Sequence, residues 1–434
     1  RPAQVRRRSR DFYWYSPVLA RRLKHVTADM VITAEDEAEV ARVLAYAYRT
    51  DTPVTVRGAG TGNYGQAMPL HGGIVLDLSA MNGVVRVEGA IGRFQAGAVL
   101  RDIDRALAPE GLELRFHPST HGQATIGGFV AGGSGGVGSV TWGTLRDRGA
   151  VTALRLMTME AEPRTLELRG LDVHKAMHGF GTCGVITEVE LPLAPAYDWV
   201  ELIVTFDDFM AAARLGDVIA HEDALTKKLV TAIAAPVPGH YLFPGRVAED
   251  QSVLLLMVAD FAAAVTRQLI EATGARIVHD QRTAEAKTPL YEYAWNHTTL
   301  QALKHDRSLT YLQVAYPPPT HLEKVEEMWR TFGDEVPAHI EFIRMRGIVA
   351  CSGLPLVRFT TEERLAEIIS YHQEHGCPIF NPHVFTLEEM GRKDMDEAQL
   401  AFKRQVDPKN TLNPGKMLSF DDPEQMTKQK GFFT

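Results

Sequence analysis

The placement of glycine constrains this chain more than any other feature. Three segments carry it at their first, third and sixth positions: Gly60, Gly62 and Gly65; Gly133, Gly135 and Gly138; Gly179, Gly181 and Gly184. In the strand-turn-helix dinucleotide fold such a motif opens a helix, so that the diphosphate rests on the helix N-terminus. Here the first motif leads to Pro69 and the apolar run 74–78, and the third to the run 185–193. The second runs into Ser139-Val140-Thr141-Trp142-Gly143, which lacks helical spacing. No GxxxxGK[ST] loop is present, which excludes a P-loop nucleotidase. The remaining use of so much glycine is a nest of bare backbone N–H groups that grips an anion, with no Cβ to hold the ligand off. Three such loops exceed what ordinary connections of about six residues need, and a dinucleotide diphosphate suits them.

Around these loops the pattern is α+β. Thr33 with Asp36 reads as a helix start, and Val40, Val43, Leu44 and Ala47 follow at helical spacing, predicting a helix over 34–49. Strands are expected at 53–56 and 74–78, an apolar helical stripe at Val99, Ile103, Ala106 and Leu107, and strands at 151–159 and 185–193. The glycine-dense stretch 115–149 is not expected to be dominated by regular structure. Beyond 192–199 the glycine loops stop. Strands are predicted at 200–206, 253–258 and 339–345, helices at 261–272, 322–332, 362–374 and 395–405, and turns over 407–416.

The formal net charge is −8, yet Arg1, Arg6, Arg7, Arg8 and Arg10 crowd the first ten residues and leave −13 on the other 424. Such a body repels phosphate backbones, so no nucleic-acid partner is expected. The basic head reads as a solvated, partly disordered end without a function. The polar and aromatic stretch 11–17, followed by Arg21 and Arg22, leaves no room for a signal-peptide apolar core, and the longest apolar run, 253–259, is too short to span a bilayer. Cys183, Cys351 and Cys377 form no CxxC pair, so neither a disulfide framework nor a structural zinc site is expected, and a reducing, cytoplasmic setting fits.

Five segments in fixed order carry a resemblance: Val56-Arg57-Gly58-Ala59-Gly60-Thr61-Gly62; His117-Pro118-Ser119-Thr120 with Ala124-Thr125-Ile126-Gly127-Gly128; Gly143-Thr144-Leu145-Arg146-Asp147; Gly181-Thr182-Cys183-Gly184-Val185-Ile186-Thr187; and Leu412-Asn413-Pro414-Gly415-Lys416. Together they resemble the vanillyl-alcohol oxidase / p-cresol methylhydroxylase (PCMH-type) flavoproteins. The resemblance implies a PCMH-type FAD-binding domain of two α+β subdomains over 1–199, an α+β cap with an antiparallel sheet over 200–395, and a tail over 396–434 returning to the first domain. It implies a diphosphate loop at Arg57, Gly58, Ala59, Gly60, Thr61, Gly62 and Asn63. Pro118, Ser119, Thr125 and Gly128 would lie along flavin and diphosphate, Gly135, Gly136 and Ser139 would continue the groove, and Gly184 with Ile186 would hold the adenine half. Lys416 would neutralise a phosphate or face the flavin. Some members attach the flavin through a histidine in the diphosphate loop; Thr61 stands near that place, so the FAD is expected to be non-covalent.

On the substrate side, hydride loss from carbon is eased by a base that takes the adjacent hydroxyl proton. Candidates are His297, in the aromatic and polar stretch 291–297, and His383, in Asn381-Pro382-His383. The latter stretch loosely resembles the Asn-x-His ending of a metal motif in D-2-hydroxyacid dehydrogenases, but the residues before it do not match, and no metal is expected. Arg344 and Arg346, two apart on an expected strand, would share a face and clamp a carboxylate. The leading expectation is oxidation of a small 2-hydroxy acid or alcohol, with oxygen or a carrier as electron acceptor. Oxidation of a para-substituted phenol, with Tyr291, Tyr293 and an arginine holding a phenolate, stays open. So do an FAD-binding electron-transfer subunit and a homo-oligomeric state.

Overall fold

A computed structural model describes residues 2–391 and 397–425. Near the N-terminus three short strands, Met30–Thr33, Ile74–Asp77 and Val54–Arg57, form a parallel sheet with Ile74–Asp77 in the middle. The helix Glu37–Arg49 packs its Val40, Leu44 and Ala47 face inward. Its cap lies three residues later than the sequence suggested. Asp36 accepts the Glu39 amide at 2.8 Å and Glu39 accepts the Glu35 amide at 2.8 Å, whereas Thr33 is spent in the strand opposite Asp77.

A second, antiparallel sheet runs in the order Val84–Glu88, Ile91–Gln95, Val185–Pro195, Ala153–Met157, Thr165–Arg169, with Leu112–Leu114 on the far end of the long strand. The tail docks on the first sheet: the Val54 amide donates to Thr411 O at 2.8 Å and the Asn413 amide to Val54 O at 2.7 Å. The expected tail helix begins at 395; residues 395 and 396 lie outside the described residues, and the described helix is Glu397–Val406.

Residues 199–353 build a seven-stranded antiparallel sheet, in the order Arg276–Arg282, Trp199–Phe206, Ser252–Ala259, Lys227–Ile233, His339–Met345, Ile348–Gly353, Val314–Tyr316. The strand Ser252–Ala259, interior to this sheet, explains the unbroken apolar run. Leu254, Leu256 and Val258 face a core shared with the helices Phe209–His221, His321–Phe332 and Glu362–Glu374, while Val253, Leu255 and Met257 face the opposite core. A strand buried on both faces has no polar face to alternate with. The opposite core also contains Leu76, Phe94 and Val189 of the N-terminal half, so one interior spans both halves.

Two expectations fail locally. Residues 139–143, read as lacking helical spacing, hold the single helical turn Ser139–Trp142, although with Ile126–Gly132 it still leaves most of the glycine-dense stretch irregular. That turn begins after Gly138, whose φ of +99° is open only to glycine without strain. The basic head is also ordered. Pro2–Arg8 is helical, Arg8 pairs with buried Asp77 at 3.1 Å, and the Phe12 amide donates to Gly62 O at 2.7 Å.

Candidate active site

A cavity lies between the glycine loops and the inner face of the seven-stranded sheet, and all three glycine stretches reach it. The first stretch leaves the strand Val54–Arg57 and turns at Gly60, φ +70°. A Cβ on Gly58 would overlap Thr125 Oγ1, and Thr125 is the N-cap of Ile126–Gly132, its hydroxyl accepting the Gly128 amide at 3.3 Å. The two loops therefore meet backbone to hydroxyl, a distance only glycine permits. Gly127, Gly128, Gly132, Gly133 and Gly135 extend this wall, and Gly181, Gly184 and Ile186 close its far end. A long groove of uncovered main chain suits an elongated anion.

Most expected ligand residues border the cavity: Arg57, Gly58, Ala59, Gly60, Thr61, Gly62, Asn63, Pro118, Ser119, Thr125, Gly128, Gly135, Gly184 and Ile186. The Arg57 side chain is otherwise engaged. Its guanidinium donates to Arg8 O at 3.0 Å, Arg10 O at 2.7 Å and Ala59 O at 2.9 Å, tying the head to the loop. Three expected residues lie behind the wall. Ser139 Oγ accepts the Gly136 amide at 3.0 Å, and Gly136 is pressed against His117 O, so both brace the groove from beneath. Lys416 is fully buried, donates to Gly65 O at 2.6 Å, and is held well below the usual lysine range by that burial.

The opposite wall is made of side chains: Trp295, Asn296, His297, Gln313, Ile343, Ser352, Leu354 and Phe380, with Phe12 and Tyr15 from the head. Trp295 sits at φ +54°, a conformation that costs a side-chain-bearing residue roughly 1–3 kcal/mol. What holds it there is Glu341, 1 % exposed, which accepts the Trp295 amide at 2.6 Å as well as Thr231 Oγ1 and His339 Nε2, the last at 2.8 Å. The indole thereby reaches the glycine wall: a Cβ on Gly135 would lie 3.6 Å from its Cη2. Two residues on, His297 is 6 % exposed and borders the cavity. Its Nδ1 stands 2.7 Å from Glu292 Oε2, off the axis of a directed hydrogen bond, so the contact is electrostatic.

The other expected catalytic residues are elsewhere. His383 is buried behind the wall with both nitrogens used: Nδ1 meets Ser16 Oγ at 2.8 Å and Nε2 meets Tyr311 O at 3.1 Å. A carbonyl only accepts, so Nε2 carries the hydrogen and Nδ1 takes the serine proton. Burial pulls its pKa down to about 4, with the Tyr311 carbonyl opposing. This neutral histidine fastens the head to the strand Leu309–Tyr311 and has no lone pair to offer a substrate. Tyr291 also lies off the cavity, its hydroxyl 3.4 Å from His121 Nδ1 and its ring edge-on to His117. The two-arginine clamp does not form. The strand ends at Met345, and Arg346 falls in the turn at φ +52°, while Arg344 turns to Val140 O at 3.2 Å and to Asp223.

Sequence reading missed Trp295, Gln313, Ser352 and Phe380. Trp295 stood in the flagged stretch 291–297, but Gln313 and Ser352 are single polar residues in apolar runs, a pattern without a signature.

Comparison with known proteins agrees with this geometry. Residues 28–167 match the family model described as FAD binding domain. The chain is 26 % identical to the glycolate oxidase subunit GlcD of Bacillus subtilis (strain 168), over 93 % of this chain and 91 % of that protein. It is 26 % identical to the D-lactate dehydrogenase of Archaeoglobus fulgidus, over 90 % and 91 %. Among solved structures, an alkyldihydroxyacetonephosphate synthase superposes with a TM-score of 0.68 at 16 % identity, covering 90 % of this chain and 76 % of that one, a likeness of fold. The groove of bare main chain fits the cofactor that the family description names. Residues 28–167 carry an FAD binding domain, and the chain is an FAD-dependent oxidoreductase.

Proposed function

We propose that the chain oxidises a small hydroxylated substrate, a 2-hydroxy acid or related alcohol, with His297 as the base. The observation that carries this reading is His297 itself: a nearly buried imidazole on the cavity wall facing the glycine groove, with a carboxylate 2.7 Å behind its other nitrogen. Bound FAD supplies the hydride acceptor. Thr61, Gly62 and Asn63 meet its diphosphate side, and the association is non-covalent.

His297 accepts the substrate hydroxyl proton at Nε2. Glu292 stabilises the imidazolium that results, as a carboxylate behind an imidazole does. Trp295, Ile343, Leu354 and Phe380 exclude water, which strengthens each polar contact inside. Gln313 and Ser352 are placed to orient the substrate's second polar group. The printed names of relatives, glycolate oxidase subunit and D-lactate dehydrogenase, support a hydroxy acid. The first name also supports a subunit that hands electrons to a carrier.

The test is anaerobic reduction of the bound flavin by a panel of 2-hydroxy acids, aryl alcohols and 4-alkylphenols, followed with oxygen or a dye as acceptor. Bleaching near the flavin bands by hydroxy acids or alcohols supports the reading. Bleaching by phenols alone replaces it. Reduction that reaches a dye but not oxygen assigns a carrier as acceptor. We place residues 200–395 as the cap over the flavin, resting on residues 1–199 and the tail 396–434.

A further inference from the structure

The basic head, ordered against the FAD groove, has a use. We propose that Arg6, Arg7 and Arg10 form an outer cationic shell that helps retain the FAD diphosphate. The loop at Arg57, Ala59 and Gly60 borders two spaces: the cavity on its inner side and, on its outer side, a surface groove lined by Arg6, Arg7 and Arg10. The same loop residues thus border both the arginine-lined groove and the cavity where a diphosphate would lie.

That diphosphate needs positive field from somewhere. The chain outside the first ten residues is strongly acidic. On the cavity wall, the Arg57 guanidinium donates to three neutral carbonyls and keeps its charge. The head arginines add to it from outside the wall. Arg8 is neutralised by Asp77, but Arg6 and Arg7 meet no carboxylate among the described residues, and Arg10 reaches only a carbonyl, Lys24 O at 3.0 Å. Asp11 also borders the groove, yet its oxygens face inward to the Tyr13 and Ala67 amides at 3.0 and 3.3 Å. Unneutralised cations near a low-dielectric wall act through it, and such an action is screened by salt.

The experiment measures FAD release on dilution of the holoprotein, from the return of free-flavin fluorescence, across ionic strength. Three proteins are compared: wild type, Arg6→Gln/Arg7→Gln, and Arg6→Gln/Arg7→Gln/Arg10→Gln. The control is Arg330→Gln, which alters a surface arginine paired with Glu326 on the helix His321–Phe332. At low salt the triple variant is expected to bind FAD on the order of tenfold more weakly, with the double variant between, and the gap closes above roughly 0.5 M salt as the Debye length shrinks. FAD retention equal to wild type at low salt overturns the proposal. So does a loss that persists undiminished at high salt, which would mark lost packing and not lost field. The double variant removes no side-chain hydrogen bond among the described residues, so its result stands even if the triple variant folds poorly.

Discussion

One wall of the cavity is main chain and the other is side chain, and the two tolerate change differently. In the glycine wall a ligand would meet amides whose positions are fixed by contacts such as Gly58 against Thr125, so any added atom enters the groove or its supports. In the opposite wall Trp295 and His297 are held by carboxylates behind them, Glu341 and Glu292, so a substitution there alters chemistry and leaves the cradle standing. Binding of the cofactor and handling of the substrate are thus assigned to different materials, and changes that separate the two functions test the assignment.

The largest expected effect is on the main-chain wall. Gly58→Val forces a branched side chain onto Thr125 and is expected to yield protein with almost no bound flavin, read from the ratio of flavin to protein absorbance; overpacking of this kind also costs about 1–3 kcal/mol of stability. A variant that keeps its full flavin complement would break the comparison. On the other wall, His297→Asn is expected to keep FAD and lower the rate of flavin reduction by roughly 10²–10⁴-fold, the usual worth of a positioned base. Full activity in that variant would remove His297 from the chemistry.

His383 sharpens the comparison through pH. Its folded pKa near 4 lies below the ordinary 6.5, so between those values the unfolded chain takes up a proton that the folded chain refuses. Its contribution is intact above pH 6.5 and declines as pH falls toward 4, by up to ~3 kcal/mol, levelling below. Urea unfolding at pH 7 and pH 4 should show this loss in wild type and a smaller one in His383→Gln, with flavin reduction at neutral pH little altered. An equal loss in both proteins would count against the buried neutral histidine. The smallest effect belongs to Arg344→Gln: with the side chain turned to Val140 O and Asp223 and absent from the cavity lining, flavin reduction should change less than about twofold. A carboxylate substrate whose KM rises a hundredfold would restore the clamp.

The same division sets what the sequence disclosed. Gly60, Gly62, Gly128 and Gly184 mark positions where backbone must stay bare, and that requirement is local and therefore written in residue identity. The strand Ser252–Ala259 was also legible, because Leu254, Leu255 and Leu256 have to be buried whichever face they choose, whereas the middle strand Lys227–Ile233 was not read. The side-chain wall is assembled from residues far apart in sequence. Which histidine reaches the cavity depends on whether its ring nitrogens are already taken, as His383 by Ser16 and Tyr311, and no spacing rule encodes a partner 367 residues away. Arg346 was misjudged for a smaller reason: the strand stopped one residue short of it, and alternation holds only while a strand lasts.

The continuous interior carries a last consequence. Leu76 and Val189 on one side and Leu255 and Tyr311 on the other belong to a single packed cluster. Two lobes joined in this way cannot swing apart like the leaves of a hinge without exposing apolar surface at roughly 25 cal/mol per Å². A change of shape that leaves this interior closed is confined to the rim, where the head is held by the Phe12 amide on Gly62 O, the Arg8–Asp77 pair and the Arg57 guanidinium.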